Sequence, residues 1–208
     1  MSALSPDALA ARRYLYALFQ SVFGGEPSAE AIALWRAPVT REAAAVAGVD
    51  ADAMLTALEE LDAETLQRAY LRHFVGPGKI PVLPWESAIV GNERVLFQRP
   101  TLEVRRSYRA AGFAPVEGHH VADDHLSLEL GFMALLAGRA FEGAEQKDEE
   151  AQEAALAESE KFLDEHLRCW LGDYAAALAQ EADAGFYAHA ARAAADFIEA
   201  DYRWLAGR

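Results

Sequence analysis

The stretch Asp123-Asp124-His125-Leu126-Ser127-Leu128-Glu129-Leu130-Gly131-Phe132-Met133-Ala134-Leu135-Leu136 decides the fold class of this chain. Its apolar residues do not keep to one face. Leu126, Leu128, Leu130, Phe132, Met133, Leu135 and Leu136 cover nearly every side of a helix. A helix that is apolar all round belongs inside a core, because it has no polar face to offer water. Asp123 stands at its start as the expected cap. The spacing predicts an all-α protein with this helix at its centre.

The flanking sequence agrees. All eight prolines lie at or before Pro115, and residues 116–208 are rich in alanine. Proline breaks helix interiors and alanine favours them. Downstream, Phe162, Leu163, Leu167, Trp170, Leu171, Tyr174 and Leu178 form one helical stripe. Phe186, Tyr187, Phe197, Ile198, Tyr202 and Leu205 form another, after an acidic turn and helix start between Glu142 and Glu153. Upstream, Ser5-Pro6-Asp7 is a helix start, with a capping hydroxyl, a proline for the first turn and an acid for the positive helix end. Leu15, Leu18, Phe19, Val22 and Phe23 follow at helical spacing until Gly24-Gly25. Ser28, Thr40, Asp50, Asp62 and Thr101 are further expected caps, and Gly112 suits a left-handed helix end. Five glycines and prolines between Gly76 and Pro84 make that segment a loop, apolar enough to pack on the surface. Ala88-Ile89-Val90 and Val95-Leu96-Phe97 are short enough for strands, though an isolated pair is marginal. The expectation is one domain, 1–208, a helical globule of about nine to eleven helices. Residues 112–121 are a candidate hinge between its N-terminal and C-terminal helix groups.

Composition narrows the function. The 208 residues carry 19 Lys and Arg against 33 Asp and Glu, a formal charge of −14. Such a balance repels nucleic-acid phosphates and suits a basic partner. The single cysteine, Cys169, excludes an intramolecular disulfide and sits in an apolar stripe, where a core thiol is expected. No apolar run approaches the ~20 residues of a membrane span, and the start lacks the pattern of a secretory leader, so a cytoplasmic protein is expected. Arg12-Arg13 before Tyr14-Leu15-Tyr16 imitates an export signal, but reads better as an amphipathic first helix with arginines facing water. Gly76-Pro77-Gly78-Lys79 lacks the first glycine and the hydroxyl of a phosphate loop: those positions hold His73 and Ile80.

Two constellations carry chemistry. The first is Glu117, His119, His120, Asp123, Asp124, His125 and Glu129. His125 and Glu129 lie one helical turn apart on one face. Such a set can cap the helix, hold a metal, act as acid and base, or grip a cation. The second is Pro84-Trp85-Glu86-Ser87, where Trp85 either plugs the core or offers a flat face, and where packing alone does not explain Glu86.

Glu86-Ser87, then Pro100-Thr101-Leu102-Glu103-Val104-Arg105, then the stretch from Asp123 to Met133 resembles the TorD/DmsD/NarJ family of redox-enzyme maturation chaperones. His166-Leu167, Trp170, Tyr174, Phe186-Tyr187, Phe197 and Asp201 follow in the order and spacing of that family. The resemblance implies an all-helical cytoplasmic protein with no catalytic activity and no cofactor of its own. It implies binding of the twin-arginine signal peptide, or the N-terminal tail, of a molybdoenzyme catalytic subunit, held until cofactor insertion is complete. Carried to matching positions, the peptide site is Tyr70 and Phe74, Pro84 and Trp85, and Asp124 and His125. Glu86 and Glu129 are added as candidate carboxylates for the peptide's arginines, because the guanidinium fork prefers a carboxylate. Ala122 replaces a proline common two residues before the family's aspartate, and His73 replaces a leucine before its phenylalanine; both bear on the shape of the pocket. Two other readings stand beside this one: a metal-dependent hydrolase using His119, His120, Asp124 and His125, and a helical subunit that stays permanently in a complex. The expected oligomeric state is a monomer with some dimer formed by exchange of halves about the hinge.

Overall fold

The computed structural model describes residues 5–76, 78–91, 99–114 and 121–208. Among these there is no strand, and the elements are α1 (Pro6–Gly24), α2 (Ala29–Trp35), α3 (Pro38–Ala47), α4 (Asp52–Glu59), α5 (Ala63–Tyr70), α6 (Glu86–Val90), α7 (Arg99–Ala110), α8 (Leu126–Gln146), α9 (Glu149–Phe162), α10 (Arg168–Leu178) and α11 (Gly185–Ala206). One π-helical turn, Leu71–Val75, prolongs α5, and another, Leu163–Leu167, joins α9 to α10. The all-α expectation is therefore met, with ten continuous helices among the described residues. None of these helices is long and apolar enough to cross a membrane.

The helix predicted to be central is central. α8 lies between α1 and α9, α3 backs α1, and α11 runs along α10 and reaches α4. Leu126, Leu130, Phe132 and Met133 have no exposed surface. Gly143 permits the close approach of α8 and α9: a Cβ there would sit 2.8 Å from the Gln152 backbone nitrogen. Ser5, Ser28 and Asp62 cap α1, α2 and α5 as expected, accepting from Ala8, Ala31 and Thr65 N–H groups. Gly112 takes the left-handed conformation after α7, with φ 67°.

Several expectations are corrected. Asp123 does not cap α8; His125 does, its Nδ1 accepting the Ser127 N–H at 3.1 Å. Asp123 instead pairs with Arg105, and its carbonyl accepts the Tyr108 hydroxyl. Thr40 and Thr101 lie inside α3 and α7, both buried, and Asp50 accepts the Asp52 N–H one residue ahead of the Ala51 cap. Ala88-Ile89-Val90 is helical, as part of α6. Cys169 is exposed, its thiol donating to the Asp164 carbonyl. Val95-Leu96-Phe97 and most of the candidate hinge lie outside the described residues.

Arg12 is the most instructive correction. It faces inward, 1% exposed. Its Nε and Nη2 donate to the two Asp201 carboxylate oxygens at 2.5 and 3.0 Å, and the Tyr16 hydroxyl donates to Asp201 at 2.7 Å. The Trp204 ring covers the guanidinium, its centroid 5.2 Å from Cζ. Burial opposes the charge on Arg12, but Asp201 more than offsets it. Burial, reinforced by Asp201, pushes the Tyr16 phenol well above its usual value, so it stays a donor. This clasp ties the first helix to the last. Arg13, by contrast, is exposed and lies over the Phe141 ring.

Candidate functional site

The candidate residues form two groups. Tyr70 and Phe74 stack with ring centroids 5.0 Å apart. Phe74 also meets Phe23 of α1 at 5.9 Å and Tyr187 of α11 at 5.1 Å. Both are buried, and they act here as core rings. Between them in sequence, His73 is buried with neither ring nitrogen hydrogen-bonded among the described residues. It lies on the π-helical turn, where the regular backbone ladder is interrupted.

The second group is assembled by backbone pairing across a long sequence separation. Leu126 N–H donates to the Pro84 carbonyl at 2.9 Å, and Glu86 N–H donates to the Asp124 carbonyl at 3.0 Å. Trp85 and His125 thus form an isolated antiparallel bridge, and their rings meet edge to face at 4.9 Å. Asp124 has a job that its sequence position hides. Its Oδ2 accepts the Ser87 N–H at 2.9 Å, capping α6, which has no cap of its own. One carboxylate therefore orients the start of α6 while its own backbone leads into α8.

The bridge brings Glu86, Asp124 and Glu129 together, all buried. Glu86 Oε2 lies 3.0 Å from His166 Nδ1, on the second π-helical turn. Glu129 Oε2 accepts the Trp170 indole N–H at 3.2 Å. Glu129 Oε1 and Asp124 Oδ1 have no donor among the described residues. Three buried carboxyls so close cannot all ionise cheaply. Burial first, and then the charge on Glu86, push the Glu129 carboxyl well above the usual carboxylate range. Burial, together with Glu129, also pushes the Tyr108 phenol well above its usual value, so it remains a donor to the Asp123 carbonyl.

All eight candidate residues are thus buried: Tyr70 and Phe74 in one group; Pro84, Trp85, Glu86, Asp124, His125 and Glu129 in the other. The acidic group has a nearby opening. A groove of about 510 Å³ runs between α7 and the joint of α9, lined by Glu103, Arg106, Ser107, Glu158, Lys161, Glu165 and His166. His166 is both part of its wall and the hydrogen-bond partner of Glu86. Sequence reasoning used His166, Trp170 and Ser87 as carriers of the family resemblance, and Trp170 also as a core residue, but gave them no place in the site. The available signal was a histidine inside the apolar stripe Leu163, Leu167, Trp170. His119 and His120, named for the hydrolase reading, lie outside the described residues, and no group of three or more His, Cys, Asp or Glu among the described residues is arranged to hold a metal ion.

A family model for the nitrate reductase delta subunit matches residues 41–176, which include both groups. The chain belongs to this family. Among its relatives, the chaperone protein TorD of Vibrio parahaemolyticus is 26% identical over 207 residues, covering 94% of this chain and 95% of that protein. TorD of Vibrio cholerae is 30% identical over 133 residues, 64% of this chain and 58% of that protein. A crystal structure from Archaeoglobus fulgidus, described as a redox enzyme maturation protein, superposes with a TM-score of 0.56 at 22% identity, covering 90% of this chain and 93% of that one. That likeness supports the fold, and the two relatives are themselves named as TorD chaperones.

Proposed function

We propose that this chain is a system-specific chaperone that binds the twin-arginine signal peptide or N-terminal tail of a molybdoenzyme catalytic subunit. It holds that subunit in the cytoplasm and assists cofactor insertion before export, without catalysing a reaction itself. The observation that carries the reading is the buried acidic site, where Glu86, Asp124 and Glu129 converge with two carboxylate oxygens lacking donors. A pair of peptide arginines supplies what that site lacks, planar cationic donors. The net charge of −14 attracts a basic segment at long range and raises its on-rate more than its affinity. The aromatic group around Tyr70 and Phe74 offers apolar contact for the segment that follows the arginines once the helices loosen.

Isothermal titration with twin-arginine peptides tests the reading. Asp124→Ala and His125→Ala are expected to weaken binding roughly ten- to a hundredfold, the worth of a charge-assisted hydrogen bond. Circular dichroism should show both variants folded. The reading fails if both bind as wild type does, or if their only defect is a lowered melting temperature.

A further inference from the structure

One side chain links the buried carboxyls to the α7–α9 groove. His166 is 3% exposed, contributes to the groove wall, and places Nδ1 3.0 Å from Glu86 Oε2. Its ring rests on Phe162 at 4.7 Å. It stands on the π-helical turn Leu163–Leu167, a register irregularity that can relax to regular helix and carry a side chain with it. Behind it lie the two oxygens that have no donor, Glu129 Oε1 and Asp124 Oδ1, on side chains with no exposed surface. Along the groove rim, three carboxylates (Glu103, Glu158, Glu165) outnumber two cations (Arg106, Lys161).

We propose that the groove between α7 and α9 is the entrance of the peptide site, and that His166 is a displaceable plug which yields Glu86 to an incoming guanidinium. This rests on the proposed peptide-binding function and adds where the arginine enters and what it replaces. The imidazole offers Glu86 one donor. A guanidinium offers five in a planar fork, enough to reach Glu86 and the donor-less oxygens of Glu129 and Asp124 together.

The exchange has a proton consequence. Among the described residues, Glu129 faces Glu86 on α6, Asp124 before α8, Tyr108 on α7 and Trp170 on α10, with His166 beyond Glu86. Among the described residues no fixed cation touches it, and burial first, then the charge on Glu86, push its carboxyl well above the usual carboxylate range. A guanidinium supplies that cation and favours the ionised carboxylate, so binding should drive proton release from Glu129.

The test is titration of the intact chain with a twin-arginine peptide at pH 7 in phosphate and in Tris, buffers of different ionisation enthalpy. Wild type should show a buffer-dependent enthalpy corresponding to proton release. Glu129→Gln should bind more weakly, because the guanidinium loses one carboxylate, and should show no such release. His166→Ala should bind several-fold more tightly, whereas a merely structural histidine would weaken binding when removed. Ser107→Trp, which fills the groove, should abolish binding without lowering the melting temperature. If wild type binds the peptide with a buffer-independent enthalpy and Ser107→Trp binds equally well, the entrance and plug are wrong while the chaperone reading stands. If wild type binds no such peptide, that reading falls and the inference with it.

Discussion

Two buried charged groups in this molecule invite comparison. The clasp of Arg12, Tyr16 and Asp201 is balanced in charge: one cation, one anion, a bidentate contact and a donating phenol, with Arg12 Nη1 alone lacking an acceptor among the described residues. The group of Glu86, Asp124 and Glu129 is not, since three carboxyls face a single imidazole and two of their oxygens lack donors. Both exclude water. The first spends its charges on each other and fixes the first helix against the last. The second sets three carboxyls against one imidazole, so a cation entering it would meet acceptors already in place. Balanced buried charge locks a fold; unbalanced buried charge points to a ligand.

Breaking the clasp should have the largest effect. Asp201→Ala leaves Arg12 as an uncompensated buried cation and removes the acceptor of Tyr16, and about 3–5 kcal/mol of stability should be lost in chemical denaturation. Arg12→Met combined with Asp201→Leu should recover most of it, because no lone charge remains. If the double variant is as unstable as the single one, the clasp is not an isolated electrostatic unit.

The acidic group should respond more mildly to loss of one member. Asp124→Ala removes the cap of α6 and should cost about 1 kcal/mol of stability. Asp124→Asn retains an acceptor for the Ser87 N–H, so it should restore most of that stability while binding stays impaired. Equal stability loss in both variants would mean that Asp124 acts through its charge and not as a cap.

The mildest change sharpens the contrast by pH. The folded-state pKa of Glu129 is raised, so the folded chain holds a proton that the unfolded chain gives up above about pH 4.3. Wild-type stability from this group is complete below that pH and falls as pH rises towards the folded-state value. Glu129→Gln mimics the protonated form, so its stability should match wild type at pH 4 and exceed it progressively at higher pH. Melting temperatures measured from pH 4 to 8 decide this; a gap that stays constant with pH would place the proton elsewhere.

Much of the fold was legible because local rules and burial agreed. The apolar residues around α8 required a central helix, and Ser5, Ser28 and Asp62 marked real helix starts. The failures share a cause. Arg12 follows the pattern of a surface residue, and its partner Asp201 lies 189 positions away. Asp123 and Asp124 both look like caps for α8, yet Asp124 caps α6 across 37 positions. Capping and pairing depend on which groups meet in space, and a polar residue next to a helix start has more than one start within reach.

The site was half legible. Pro84, Trp85, Asp124 and His125 were implied by the family resemblance, Glu86 and Glu129 were added as candidate carboxylates, and the Trp85–His125 bridge gathers these candidates. Their burial was not foreseen, nor was His166, because a lone histidine in an apolar stripe looks like packing until its partner is placed.

The sequence by itself determined the helical class, the central position of α8 and the acidic character of the surface. These follow from periodicity, proline placement and composition, which are local or summed properties. Tertiary structure alone decided that Arg12 turns inward, that Asp124 serves a helix other than its own, and that Glu86, Asp124 and Glu129 are buried together with His166 against Glu86. Those facts depend on long-range juxtaposition, where the cost of burying a charge is met or left unmet by residues that the chain order keeps far apart.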